Sequence, residues 1–163
     1  MPAVHRLNHA VLYVSNVERS VSFYRDLLGF EVAVSFPGAA FLRAAGSGND
    51  HDLGLFQVPA AAPSAGRQPG LYHLAWQVDT IDELASLRAS LLSAGSLVGE
   101  SDHGVSKSLY AHDPDGIEFE VMWAVPRSAW PTRPSTDPLQ LETEIARWSG
   151  TSTLSELVAT AGP

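Results

Sequence analysis

Three side chains in this chain have the types and placement of a metal centre: His9, His73 and Glu120. The two histidines occupy the same position in two copies of one segment. Leu7-Asn8-His9-Ala10-Val11-Leu12-Tyr13-Val14 is echoed 64 residues later by Leu71-Tyr72-His73-Leu74-Ala75-Trp76-Gln77-Val78, and the same offset pairs Val17 with Ile81 and Leu27 with Leu91. A repeat of this size is one supersecondary unit used twice, and a histidine at the related position of each can bring two imidazoles near a pseudo-twofold axis. Glu120 lies between Phe119 and Val121, where a carboxylate is costly to bury unless it is paired or bound to a cation. Two neutral imidazoles and one carboxylate on one side of a metal leave positions open, which suits Fe(II) or Mn(II) taking up substrate and dioxygen together. Each residue alone reads more simply as an ordinary core or surface group. The repeat symmetry, together with the Asp113-Pro114-Asp115-Gly116 turn just before Glu120, carries the joint reading.

Composition narrows the donors further. The chain has 163 residues, 45% of them hydrophobic and 17% charged, which is an ordinary globular balance. A net charge of −8 argues against a nucleic-acid or anionic membrane surface. There is no cysteine, so a thiolate site, a thiol nucleophile and a disulfide framework are all excluded, and any metal must be held by His, Asp and Glu. The first six residues lack a signal-peptide pattern, and no apolar run approaches the roughly 18 residues that span a bilayer. A cytoplasmic protein is the expectation.

The elements that must position these residues follow from the pattern. His5–Val14 alternates as a strand. Ser15-Asn16-Val17-Glu18 fits a capping box, Val17, Val21, Tyr24 and Leu28 recur at helical spacing, and Gly29 supplies the cap. Strands are expected at Glu31–Phe36, Ala39–Ala45 and Asp52–Val58, with turns at Pro37-Gly38 and across Gly46–Asp50. Pro59–Gly70 reads as a linker. The plan then repeats: a strand at Leu71–Val78, a helix over Ile81–Ala94 capped by Asp79/Thr80 and ended by Gly95, and strands at Leu97–Ser101, Ser106–His112 and Ile117–Trp123. The expectation is therefore an α+β protein of two tandem βαβββ modules, 1–58 and 71–125, whose curved mixed sheets surround a metal-containing cavity. An open sheet with one helix needs a partner sheet to close such a cavity, and a homodimer or higher homo-oligomer is expected.

From Pro126 onward the pattern stops. Pro126, Pro131, Pro134 and Pro138 mark an extended tail over 126–163, with a helix start at Asp137-Pro138. Leu141, Ile145 and Trp148 form a short amphipathic helix, and a further helical turn is expected over Leu154–Val158. Such a tail is expected to pack on its own domain or on a partner subunit. Trp76 and Trp123 read as packing residues, and His112, at a turn, as structural.

The segments LNHAVLYVSNVERSVSFYRDLLGFEV, YHLAWQV and DPDGIEFEVMW resemble the vicinal oxygen chelate superfamily, which includes glyoxalase I, fosfomycin-resistance proteins, bleomycin-binding proteins and extradiol dioxygenases. HGVSKSLYAHDPDG, with PRSAWP and DPLQL in the tail, resembles its catechol-2,3-dioxygenase-like branch. That resemblance implies an extradiol-type dioxygenase using a small aromatic substrate with adjacent hydroxyls, dioxygen, and Fe(II), with Mn(II) or another divalent metal as the alternative. It implies that His9, His73 and Glu120 are the metal ligands. Tyr110 matches the tyrosine that hydrogen-bonds the bound substrate oxygen, His51 the acid/base histidine, and His103 a further histidine near the metal, though in a loop of different length.

One departure is informative. Glyoxalase I-like members carry a fourth protein ligand on the last strand of the first unit. The 66-residue offset between Gly29 and Gly95 places the counterpart of Glu120 at Gly54, between Leu53 and Leu55. Three ligands and a gap favour dioxygen chemistry over four-ligand isomerisation. If Gly54 faces the cavity, His51 must precede regular strand geometry. The competing readings are a metal-dependent isomerase or transferase, such as one adding a thiol to an epoxide, and a non-catalytic binder of the bleomycin-resistance kind. The former would want a cationic pocket, yet Lys and Arg total 10 and Lys107 is the only lysine.

Overall fold

Two four-stranded mixed sheets carry the repeated pattern, and both are wired identically. The computed structural model describes residues 3–60, 69–133 and 135–154. Elements β1 (Ala10–Val14), α1 (Val17–Leu28), β2 (Glu31–Phe36), β3 (Ala39–Arg43) and β4 (Leu53–Gln57) belong to one compact unit, Met1–Pro69. Elements β5 (Leu74–Val78), α2 (Ile81–Ser93), β6 (Leu97–Asp102), β7 (Ser106–His112), β8 (Glu118–Ala124) and α3 (Leu141–Trp148) belong to the second, Gly70–Pro163. The sheet orders are β1-β4-β3-β2 and β5-β8-β7-β6. In each, the first strand runs parallel to the last and the other pairs are antiparallel. Even the register irregularity recurs, between Val32 and Val34 in one unit and Leu97 and Gly99 in the other. The expected α+β pair of βαβββ modules is what the chain forms; most of the expected linker, residues 61–68, lies outside the described residues.

Strand alternation divides each sheet into a helix-covered face and an open face. In the first unit Leu12, Val14, Ala40, Leu42, Leu53 and Leu55 are buried on the helix side. Val11, Tyr13, Val34, Phe36 and Phe56 are exposed. In the second unit Leu109, Ala111, Phe119, Val121 and Trp123 fill the core with Ile81, Leu84 and Leu91 of α2. Trp123 is fully buried and its indole N–H donates to the carbonyl of Asp79, 3.1 Å away. No helix among the described residues is long and apolar enough to cross a membrane.

Several local details differ from the sequence reading. The two repeat strands start later than expected, at Ala10 and Leu74 rather than His5 and Leu71, because the parallel partner strands β4 and β8 begin their ladders there, at Leu53 and Phe119. His9 and His73 therefore each stand one residue before a strand. The α1 cap is Asn16, not Ser15: its side chain accepts from the Arg19 amide at 2.8 Å, while Ser15 takes up the Arg19 guanidinium. The capping box belongs instead to α2, between Thr80 and Glu83. In the tail, α3 starts at Leu141 rather than beside Asp137-Pro138. Asp137 is unavailable as a cap because its backbone pairs with Asp102 at the end of β6. The additional turn expected over Leu154–Val158 falls almost entirely outside the described residues.

The tail folds back onto the second unit. Trp148 of α3 lies 6.1 Å from the Trp123 ring. The Asp79 carboxylate accepts from the Ser152 hydroxyl and the amides of Thr153 and Leu154, each at 2.8 Å, and Asp82 accepts from the amide of Gly150 and the hydroxyl of Ser149. These donors hold both carboxyls below the usual aspartate range: the Leu154 amide acts first on Asp79, the Gly150 amide on Asp82. A lowered folded-state value means that the stabilisation is complete above the unfolded value of about 3.9 and disappears as pH falls through the lowered one. Asp79→Asn should therefore reduce the melting temperature more at neutral pH than below about pH 3. Melting curves of the two proteins that stay equally far apart at both pH values would contradict this.

Candidate functional site

In the second unit the ladder sets three strands in line. Ala75 on β5 pairs with Glu120 on β8, and Glu120 pairs with Tyr110 on β7. Because Phe119, Val121 and Trp123 point into the core, Glu118, Glu120 and Met122 take the open face, together with Tyr110 and His112. His73, just ahead of β5, brings Nε2 to 3.0 Å from a Glu120 carboxylate oxygen. Its ring neighbours two tyrosines, with centroids 4.7 Å from Tyr72 and 5.7 Å from Tyr110. Nδ1 of His73 is buried without a hydrogen-bond partner among the described residues. A Glu118 oxygen stands 3.8 Å from it, and the other Glu118 oxygen 3.7 Å from Nε2 of His112. Tyr110 continues the chain of contacts, its hydroxyl 2.8 Å from Nε2 of His103. Burial, and then the charge of Glu120, push the Tyr110 phenol above its ordinary value.

The first unit uses the same frame with different residues. Val11 pairs with Gly54, and Gly54 with Phe41, so by ladder position Gly54 occupies the place of Glu120 and Phe41 the place of Tyr110. A Cβ on Gly54 would meet Val11 Cγ2 at 3.3 Å and the Phe41 ring at 3.5 Å, and neighbouring apolar groups fill the space a fourth ligand would need. His9 and His51 lie against one another with ring centroids 4.6 Å apart, and Phe41 meets His51 edge-on at 5.0 Å. Each histidine finds an acceptor on the residue preceding it. Nδ1 of His9 is 2.9 Å from Asn8 Oδ1, and Nδ1 of His51 is 2.7 Å from Asp50 Oδ2.

His51 precedes β4, as strict alternation required, and its neighbour Asp52 explains how. The buried Asp52 carboxylate accepts from the Ala44 amide, the Ser47 hydroxyl and the Asn49 amide group at 2.7–2.8 Å. It folds the 44–52 loop around itself and leaves His51 outside the ladder.

The six residues singled out from sequence thus fall into two clusters, His73, Glu120, Tyr110 and His103 in the second unit and His9 and His51 in the first. Among the described residues no group of three or more His, Asp or Glu side chains gathers as for a metal ion. Glu118, Asn8 and Asp50 were not singled out. Glu118 was visible in the alternation that places it beside Glu120; the other two have no signal beyond directly preceding a histidine.

Residues 6–121 match the Glyoxalase/Bleomycin resistance protein/Dioxygenase superfamily. The chain belongs to this superfamily. It is 36% identical over 134 residues to a catechol-2,3-dioxygenase of Bacillus subtilis, covering 80% of this chain and 46% of that protein. It is 26% identical over 149 residues to a manganese-dependent 2,3-dihydroxybiphenyl 1,2-dioxygenase of Geobacillus genomosp. 3, covering 88% of this chain and 44% of that one. The chain spans about half the length of these curated relatives. Other superfamily relatives differ in reaction, among them a metallothiol transferase, FosB, of Lysinibacillus sphaericus, 28% identical over 72% of this chain and 81% of that one. A glyoxylase/bleomycin resistance protein/dioxygenase domain from Frankia sp. EAN1pec shares the fold with a TM-score of 0.63 at 21% identity, over 76% of this chain and 94% of that one.

The raised phenol gives a direct check on the second-unit cluster. In metal-free protein the Tyr110 hydroxyl should titrate above the usual tyrosine value of about 10, followed by NMR of ring-labelled tyrosine. Glu120→Gln should lower its midpoint only part of the way, since burial is the larger cause. A midpoint that Glu120→Gln leaves unmoved would show that the carboxylate is not felt at the phenol.

Proposed function

We propose that this protein is a metal-dependent extradiol-type dioxygenase acting on a catechol-like aromatic with two adjacent hydroxyls. The observation that carries the reading is the pair formed by His73 Nε2 and Glu120, 3.0 Å apart on an open sheet face beside Tyr110 and His103. The likeness to two aromatic-diol dioxygenases supports it. The donors are an imidazole nitrogen and a carboxylate oxygen, a set that suits Fe(II) or Mn(II). The orphaned Nδ1 of His73 fits as well, because a ligating histidine needs an acceptor for its other N–H, and a Glu118 oxygen stands 3.8 Å from it. The sequence repeat supplies His9 as the third proposed ligand. The carboxamide of Asn8 accepts from Nδ1 of His9 and thereby leaves Nε2 unprotonated and open to a metal.

When bound, such an ion supplies the Lewis acidity and redox capacity that bring an ortho-diphenol and dioxygen together. The remaining tasks fall to protein groups. Tyr110, its phenol held protonated across the neutral range by burial and by Glu120, donates a hydrogen bond to a substrate oxygen. His51, whose Nδ1–H is taken by Asp50, offers Nε2 to accept and return a proton. The alternative transferase reading needs a cation for an anionic substrate. Lys107, the sole lysine, is buried on the helix side, paired with Asp102 and Glu144, and so does not supply that cation.

Protein loaded anaerobically with Fe(II) or Mn(II), then given catechols and air, should consume oxygen and form a yellow ring-opened product. His9→Ala, His73→Ala and Glu120→Ala should each fall to background. An absence of oxygen uptake across a broad catechol panel would reject the reading. Glu118→Ala should weaken Mn(II) binding, followed by electron paramagnetic resonance, by roughly 10–100-fold. Unchanged affinity would remove Glu118 from the site.

A further inference from the structure

The superfamily match ends at residue 121, yet the chain beyond it returns to the site. Trp130 donates its indole N–H to the carbonyl of Val125 at 2.7 Å, with the Arg127 guanidinium stacked on its ring. Further along, Asp102 and Asp137 exchange backbone hydrogen bonds, the amide of each donating to the carbonyl of the other at 2.8 and 2.9 Å. Between these anchors Pro131 and Ser135 lie against the β6–β7 turn, Asp102–Ser106, which carries His103. The fit is close: Gly104 has φ +75°, and a Cβ placed on it would stand 2.8 Å from Pro131 Cγ and 3.7 Å from Ser135 Oγ. Next to this contact the Thr136 hydroxyl lies 3.3 Å from Nδ1 of His103, whose Nε2 is 2.8 Å from the Tyr110 hydroxyl.

A neutral imidazole has one N–H donor and one acceptor nitrogen, so these two contacts are coupled. If Thr136 donates to Nδ1, the proton sits on Nε2, Nε2 donates to the Tyr110 oxygen, and the phenolic hydrogen is free for a ligand. In the opposite arrangement Nδ1–H donates to Thr136, Nε2 accepts the phenolic hydrogen, and Tyr110 can offer a ligand only lone pairs. Glu120 stands opposite Tyr110 in the ladder, and a negative charge on that side favours a phenolic hydrogen turned toward it over one turned toward His103, as in the first arrangement.

We propose that the tail around Thr136 is a positioning element of the site, in which the Thr136 hydroxyl, donating to Nδ1, holds His103 in the Nε2–H tautomer that Glu120 favours and so leaves the Tyr110 O–H directed at substrate. Thr136 is a positioning residue, since it acts through His103. The consequence for turnover rests on the dioxygenase reading; the proton arrangement itself does not.

The tautomer can be read in metal-free protein by long-range proton–nitrogen NMR of labelled histidine at mildly alkaline pH. His103 should carry its proton on Nε2 in the wild type. Thr136→Val, which keeps the side-chain shape but loses the hydroxyl, should shift His103 toward a mixture, and Thr136→Ser should restore it. In metal-loaded protein Thr136→Val should lower kcat roughly five-fold, the equivalent of one neutral hydrogen bond, with KM and metal content little changed, and Thr136→Ser should recover the rate. His103 spectra identical in all three proteins, or a wild type with the proton on Nδ1, would overturn the proposal. If the tautomer responds as stated while the wild type consumes no oxygen with any catechol, the positioning role stands and the dioxygenase reading falls.

Discussion

Everything the candidate site can do depends on one register, Ala75 to Glu120 to Tyr110 across β5, β8 and β7. β8 is a strand whose odd positions, Phe119, Val121 and Trp123, are all but fully buried against α2. Burial on that scale fixes the strand's phase, because a one-residue slip would send three large apolar side chains into water and two carboxylates into the core. Glu118 and Glu120 are thus held on the open face by hydrophobic packing on the opposite side of the same strand. The carboxylate therefore needs no interaction of its own to stay on the face where His73 and Tyr110 lie.

The duplicated frame shows how the same backbone is put to two uses. Ladder positions occupied by Ala75, Glu120 and Tyr110 in the second unit hold Val11, Gly54 and Phe41 in the first. One set presents an acid and a phenol, the other an apolar wall that touches His51. Both histidines of the repeat retain the same location, one residue ahead of the first strand, where the side chain is freed from strict alternation while the next residue is already paired in the ladder. They differ in their support. Asn8, adjacent in sequence, serves His9, whereas the candidate support for His73 comes from Glu118 on another strand.

The βαβββ plan and the Glu120 cluster were legible because they rest on periodicities that single residues report. Alternation marks β8, the four-residue spacing marks α1 and α2, and glycine marks their ends. The Gly54 counterpart of Glu120 could be located from helix-end glycines alone, since the connections after the two helices have nearly equal length. What escaped the sequence depends on competition between neighbours. Ser15 and Asn16 are both good caps, and only the path into α1 decides between them. Asp137-Pro138 has the chemistry of a helix start, but a strand edge claims Asp137 first. The link from Thr136 to His103 spans 33 residues, and nothing in either local pattern points to it.

The buried lysine explains why an exposed threonine in a tail can be held steadily enough to matter. Lys107 lies on the helix-covered side of β7 with its side chain 6% exposed, where an unpaired ammonium would be strongly destabilising. Its partners are Asp102, at the end of β6, and Glu144, on α3 in the tail. The ion pair therefore ties the tail to the strand that leads into the His103 turn, and Asp137 is tied to Asp102 through the backbone as well. Thr136 sits immediately beside that doubly anchored point. Its contact with His103 does not have to bear the cost of ordering the segment, because the buried charge and the strand-edge pairing already meet it. A hydroxyl held 3.3 Å from Nδ1 can then donate to it steadily in the tautomer that the charge of Glu120 favours.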